Sequence, residues 1–252
     1  MLINEVMLDE DVSETKDLMA VAHYLAQWFA SPSYAKWHPS YPVSLREIEK
    51  GWGNPIPALQ TKSVKWLMFR PIIDQTEQPL LFVANNSKYV GDDEFGGYNP
   101  PYLHTIGINL NLLAKRKRSV ASTILHELDH ALLDMKSNGK SVEAQPYKQA
   151  STDYSSYLQH PVEVNARFAQ ALWDIATRYE TIAKGDVYSA IQQSLADNRI
   201  NSKIVPDPKQ YKRLVVRAYK FLDDVGQIVG DKIDKPGFVQ KVKNLIRKWL
   251  PK

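Results

Sequence analysis

The sequence contains no cysteine, which excludes disulfide bonds and every zinc site built on thiolates. A metal site in these 252 residues must therefore use histidine, aspartate and glutamate side chains. The chain also lacks an apolar run of roughly 20 residues, the length that crosses a bilayer. Its first residues are acidic and lack the basic and then apolar pattern of a secretion signal. We therefore expect a cytoplasmic or virion-associated protein with no membrane span.

The charge of the chain is unevenly distributed. Residues 201–252 carry 13 Lys and Arg against 5 Asp and Glu, which is a balance of +8 within a chain of net charge +4. Residues 1–200 are therefore mildly acidic, at −4. A basic segment of this kind could bind nucleic acid or an acidic partner. A solvated helix face is the simpler explanation of the same charges.

Apolar periodicity predicts an α+β fold that is mostly helical and contains a small mixed or antiparallel sheet. The β-rich runs 64–72 and 79–85 are predicted to be neighbouring strands, and the Gly-, Pro- and Asp-rich segment 87–102 is predicted to be a loop. Residues 104–112, HTIGINLNL, alternate like a half-exposed edge strand. We expect one domain over residues 1–183 and a basic helical subdomain over residues 184–252.

The segment 122–134 reads STILHELDHALLD and carries the main chemical signal. Its apolar residues fall on one stripe of a helix, and His126 and His130 lie one turn apart on the other side. Both imidazoles can therefore reach one zinc ion per chain. Glu127 is placed to act as a general base on the water that the ion activates. The alternative is an exposed polar face with two unrelated histidines.

A catalytic zinc usually has three protein ligands and one open position, so a third ligand must come from elsewhere. The chain offers four candidates, which are Glu163, His160, Asp134 and His104. We favour Glu163, in the first turn of a second long helix that begins at Pro161, ahead of His160 and then Asp134. Asp134 is better suited to accept the other N–H of His130. A carboxylate that only interacts with the helix dipole is the alternative interpretation of Glu163.

Peptide hydrolysis also needs a hydrogen-bond donor for the tetrahedral oxyanion. Tyr157 is our candidate, together with Tyr154 and His160, because these residues directly precede the second helix. A packing role is the more common fate of any one of the 13 tyrosines.

HELDH after an alternating strand, followed by HPVEVNA at the start of a second helix, resembles the zincin metallopeptidases of the gluzincin type. The resemblance covers roughly residues 64–180 and implies a zinc-dependent endopeptidase acting on polypeptides. It implies that His126, His130 and Glu163 bind zinc, that Glu127 activates water, and that residues 104–111 pair with extended substrate. Arg167 departs from the acidic residue or asparagine that many gluzincins have four positions after the ligand glutamate. The pattern is most similar to uncharacterised zincin-like proteins, including phage-encoded ones.

The competing hypothesis is a non-enzymatic protein that keeps a zincin fold. In that case zinc would stabilise the structure, and the basic C-terminal third would bind nucleic acid or another acidic partner. Binding to nucleic acid predicts an affinity that falls steeply with salt concentration.

Overall fold

A computed structural model describes residues 12–37, 41–57, 61, 64–65, 67, 70–71, 77–99, 104–136, 158–179, 182 and 186–229. The protein is mostly helical and contains a small mixed four-stranded sheet, which confirms the predicted class at that level. Across these residues no helix is both long and apolar enough to cross a membrane. The chain divides into two compact units, Met1–Thr152 and Asp153–Lys252. The predicted boundary between a domain over residues 1–183 and a subdomain over residues 184–252 stays a prediction.

The first unit contains helices α1 (Val12–Phe29), α2 (Pro32–Trp37), α3 (Leu45–Trp52), α4 (Leu110–Lys115) and α5 (Val120–Lys136). Helix α1 packs along α5 and buries an apolar stripe that includes Leu25 and Trp28. Helix α3 begins at a capping box, in which the side chains of Ser44 and Glu47 each accept a backbone N–H of the other residue. It ends at Gly53, whose φ of 79° is readily adopted only by glycine.

The sheet has the order β1-β4-β6-β5 and lies against α5. Its strands are β1 (Val43–Ser44), β4 (Leu81–Ala84), β5 (Gly96–Asn99) and β6 (Thr105–Ile108). Strands β4 and β6 are parallel, and the other two pairings are antiparallel. A separate antiparallel pair joins β2 (Arg70–Pro71) to β3 (Glu77–Gln78).

One of the two strands predicted for this region is wrong, whereas the run 79–85 contains strand β4 as predicted. Among the described residues of the run 64–72, Val64, Lys65 and Leu67 have helical backbone, and Arg70 and Pro71 are extended but pair with β3 and not with β4. The neighbours of β4 are β1 and β6. The error has a physical reason, since a short buried apolar run fits a helix turn as well as a strand.

The prediction that residues 104–112 form a half-exposed edge strand is also wrong. Strand β6 lies between β4 and β5, and all four of its residues are buried. The small residue in its alternation, Gly107, does not face solvent, because a Cβ there would lie 2.6 Å from the carbonyl oxygen of Tyr89. The strand ends at Ile108, and Asn109 caps helix α4 instead of continuing the pattern. The edge strands are β1 and β5, and β5 lies inside the segment predicted to be a loop.

The second unit contains helices α6 (Pro161–Thr177), α7 (Val187–Asp197) and α8 (Pro208–Val229), which pack against one another. Helix α6 begins at Pro161 as predicted. The side chain of Asp186 caps α7 by accepting the Ser189 N–H. After residue 184, the described part of the chain contains the two helices α7 and α8. Residues 230–252 lie outside the described residues, so the binding partner predicted for the basic segment 201–252 stays a prediction.

Candidate metal centre

Helix α5 presents the two histidines of the motif on one side. Their Nε2 atoms lie 3.0 Å apart, and the ring planes are inclined at 84°. Two nitrogens bound to one zinc at about 2.0–2.1 Å with a tetrahedral angle would be separated by about 3.3–3.4 Å. The observed separation is that of an N–H···N hydrogen bond, and a shift of about 0.3 Å would give the spacing of two ligands to one ion.

Glu163 completes a group of three potential ligands. One ligand atom from each of His126, His130 and Glu163 lies within 4.8 Å of the others. His130 and Glu163 are buried, and the Nδ1 atom of His126 is buried although the residue keeps some exposure. Two imidazoles and one carboxylate are donors that Zn²⁺ and several related ions accept. This group could hold a metal ion.

Arg167 lies one helical turn after Glu163 and forms an ion pair with it. The Nη2 atom of Arg167 is 2.5 Å from Oε1 of Glu163. The Glu163 side chain has no exposed surface, and that of Arg167 is 16% exposed. An ionised carboxylate is strongly destabilised by burial unless a positive charge or hydrogen bonds compensate it. Arg167 supplies such compensation within α6 itself.

Glu127 lies against the edge strand β5. Its side chain is buried, at 7% exposure, and approaches the backbone of Gly96 closely. A Cβ on Gly96 would lie 3.1 Å from Oε1 of Glu127 and 2.9 Å from Cγ2 of Thr123. The helix and the strand can therefore approach this closely only because residue 96 has no side chain.

A second contact between β5 and α5 involves a buried polar network. The hydroxyl of Tyr98 donates to Oδ2 of Asp134 at 2.8 Å and lies 3.0 Å from Nδ1 of His104. Because a phenol has one proton, the contact with His104 requires that Nδ1 carry a proton and donate to the tyrosine oxygen. Asp134 and His104 are both buried, and neither belongs to the His-His-Glu group. The interaction predicted between Asp134 and His130 stays a prediction.

The remaining predicted site residues have different outcomes. His160 is the N-cap residue of α6, makes no side-chain capping bond and is not part of the three-residue group. Tyr154 and Tyr157 lie outside the described residues, so the oxyanion donor stays a prediction. Prediction from sequence missed Gly96 and Tyr98, although a Gly-Gly pair within a short extended segment indicates close backbone approach.

The chain was also compared with known proteins. No family model matches it, and no curated protein or solved structure matches it either. The function of the protein is therefore inferred from its own side chains.

Proposed function

We propose that this protein is a zinc-dependent peptidase of the zincin type, and that it cleaves within polypeptides. The observation that carries the proposal is the convergence of His126, His130 and Glu163, whose ligand atoms lie within 4.8 Å of one another. Two of them are the histidines of H-E-x-x-H, and the third was selected from the sequence as the leading candidate.

The roles of the side chains follow from their chemistry. A zinc ion bound by the three ligands would act as a Lewis acid and lower the pKa of water toward about 7. Glu127 takes a proton from the attacking water and delivers it to the leaving amine, since a carboxylate directly after the first histidine adjoins the ligand pair. Burial of Glu127 beside β5 restricts its side chain and limits competing contact with bulk water.

Strand β5 takes the substrate-pairing role that the resemblance assigned to residues 104–111. Asn109 donates its backbone N–H to the carbonyl oxygen of Phe95, so these two residues form a hydrogen-bonded pair. From that pair onward, non-hydrogen-bonded and hydrogen-bonded pairs alternate along the antiparallel strands β5 and β6. The peptide groups of Gly96 and Tyr98 therefore face away from β6. Among the described strands none pairs with that side of β5. An extended peptide could add there as a further strand, next to Glu127.

The first test is the metal content of protein purified without added metal, measured by elemental mass spectrometry. We expect about one zinc per chain, and loss of that zinc in His126→Ala, because removal of one ligand typically leaves too few donors for stable binding. Absence of zinc from the wild-type protein, even after reconstitution at neutral pH, would overturn the proposal.

The second test separates metal binding from hydrolysis. Cleavage of a peptide library is followed by mass spectrometry for the wild-type protein and for Glu127→Gln, which preserves the shape of the side chain. We expect the variant to keep its zinc and to lose about 10²–10⁴-fold in turnover, the usual contribution of a general base. Glu94→Gln, in an exposed loop, is the matched control and should cleave normally. Undiminished cleavage by Glu127→Gln would refute the assigned mechanism.

A further inference from the structure

The contact between β5 and α5 leaves no room for a methyl group at residue 96. A Cβ there would lie 2.9 Å from Cγ2 of Thr123, a distance that real Cβ atoms essentially never show. It would also lie 3.1 Å from Oε1 and 3.2 Å from Cγ of Glu127. Two atoms of the Glu127 side chain therefore lie where an alanine at residue 96 would need space.

Strand β5 cannot readily move away from helix α5. On the helix side, the hydroxyl of Tyr98 is bound to Asp134 at 2.8 Å. On the opposite face of the sheet, a Cβ on Gly107 would be 2.6 Å from the carbonyl oxygen of Tyr89, so backbone already packs against backbone there. A side chain on α5 can rotate more readily than helix α5, the sheet and the backbone at Tyr89 can move apart. The crowding would therefore be relieved mainly by movement of Glu127 and Thr123.

We propose that Gly96 is a positioning residue for Glu127, because its missing side chain determines where the Glu127 carboxylate can lie. The catalytic consequence of this inference rests on the proposed peptidase function, whereas the positional consequence does not. Displacement of a reacting group by about 1 Å can lower a rate by about 10²-fold. The identity of residue 96 would thus affect turnover without any contact to the three candidate metal ligands.

Gly97 provides a matched control in the same strand. Its side-chain direction is toward the other face of the sheet, where a Cβ would be 3.7 Å from the Tyr89 carbonyl oxygen, an ordinary van der Waals contact. Neither Gly96 nor Gly97 has a positive φ, so alanine is compatible with the backbone at both positions. Gly96→Ala and Gly97→Ala thus differ in the face on which the methyl group is added.

A second variant separates the effect on Glu127 from the effect on Thr123. Thr123→Ser removes the methyl group Cγ2, which makes the shortest contact, and keeps the hydroxyl that donates to the carbonyl oxygen of Ser119 at 3.0 Å. The double variant Gly96→Ala/Thr123→Ser therefore keeps the crowding against Glu127 and relieves the tightest clash. The double variant also allows the same test if Gly96→Ala alone does not fold.

The experiment combines structure, metal content and kinetics for the wild-type protein, both alanine variants and the double variant. Crystal structures of the metal-free proteins give the position of the Glu127 carboxylate. We expect it to shift away from β5 by a few tenths of an ångström in Gly96→Ala and in the double variant, and to stay in place in Gly97→Ala. Zinc per chain should be unchanged throughout. Because this shift is smaller than 1 Å, we expect kcat in Gly96→Ala and the double variant to fall by about 2–10-fold with little change in KM.

The outcomes are distinguishable. An unmoved Glu127 carboxylate in Gly96→Ala, or full recovery of kcat in the double variant, would overturn the inference. A moved carboxylate with unchanged kcat would overturn it as well. If the wild-type protein binds zinc but cleaves nothing, the proposed function fails. Rotation of Glu127 in Gly96→Ala but not in Gly97→Ala would then still support the positional role of Gly96.

Discussion

Two carboxylates in the described part of the chain have no exposed surface, Asp134 on α5 and Glu163 on α6, and they are compensated differently. Asp134 accepts a hydrogen bond from a neutral phenol, the hydroxyl of Tyr98. Glu163 forms an ion pair with a guanidinium, that of Arg167. A neutral donor stabilises a carboxylate through one directed bond, whereas a cation also offsets its charge.

The two environments suit the two carboxylates to different roles. Asp134 ties the motif helix to the edge strand and is not part of the His-His-Glu group. Glu163 is part of that group, and its charge would be neutralised by a bound metal ion as well as by Arg167. In metal-free protein, the Arg167 guanidinium therefore provides more of the compensation for the Glu163 charge than it does when a metal ion is bound. The stability of the second unit should accordingly depend on Arg167 and on metal in an interdependent way.

The largest effect is expected from Arg167→Leu in metal-free protein. The substitution removes the cation and leaves the Glu163 carboxylate buried, and breaking a buried ion pair on one side lowers the free energy of unfolding by about 3–5 kcal/mol. Urea denaturation monitored by circular dichroism measures the loss. Zinc should raise the urea midpoint of the variant more than that of the wild-type protein, because the ion supplies the missing positive charge.

A double variant gives the control for this prediction. Glu163→Gln/Arg167→Leu removes both charges, so it should be more stable in metal-free form than Arg167→Leu alone. Equal midpoints for the wild-type protein and Arg167→Leu would show that the ion pair contributes nothing, and the contrast with Asp134 would then be lost.

The sequence was sufficient to predict the motif helix and its buried stripe, because a 3.6-residue apolar period extends over α5. Proline at the first position similarly predicted the start of α6, and its early carboxylate was the leading candidate for a third ligand. Both predictions depend on local spacing along one helix. Spacing of this kind is independent of which segments meet in the folded protein.

The identity of the edge strand could not be predicted in the same way. Strand β5 consists of Gly96, Gly97, Tyr98 and Asn99, which have the composition of a turn and lack β-branched residues. Its conformation comes from pairing with β6 and from the close approach of Glu127 to Gly96, which involve residues distant in sequence. The ion pair of Arg167 was likewise missed, although its spacing of four residues from Glu163 permits one.

A smaller effect is expected from Tyr98→Phe, which tests the other carboxylate. The substitution removes the hydroxyl that donates to Asp134 and accepts from His104, and lost bonds to a buried charged group lower stability by about 1–3 kcal/mol. Tyr41→Phe is the control, because Tyr41 is 58% exposed and should be nearly neutral. A loss larger than that in Arg167→Leu would reverse the ranking of the two carboxylates.

The smallest effect is expected from Lys136→Ala at the end of α5. Lys136 forms an ion pair with Glu14 of α1. Like the pair of Arg167 and Glu163, it joins a basic side chain to a glutamate. The Lys136 side chain, however, is 37% exposed. Water and salt screen such a pair, and its contribution is about 0–1 kcal/mol. The urea midpoint of Lys136→Ala should therefore stay near that of the wild-type protein, and the difference should shrink further in 1 M NaCl. A loss as large as that in Arg167→Leu would mean that burial is not what distinguishes the ion pair of Glu163.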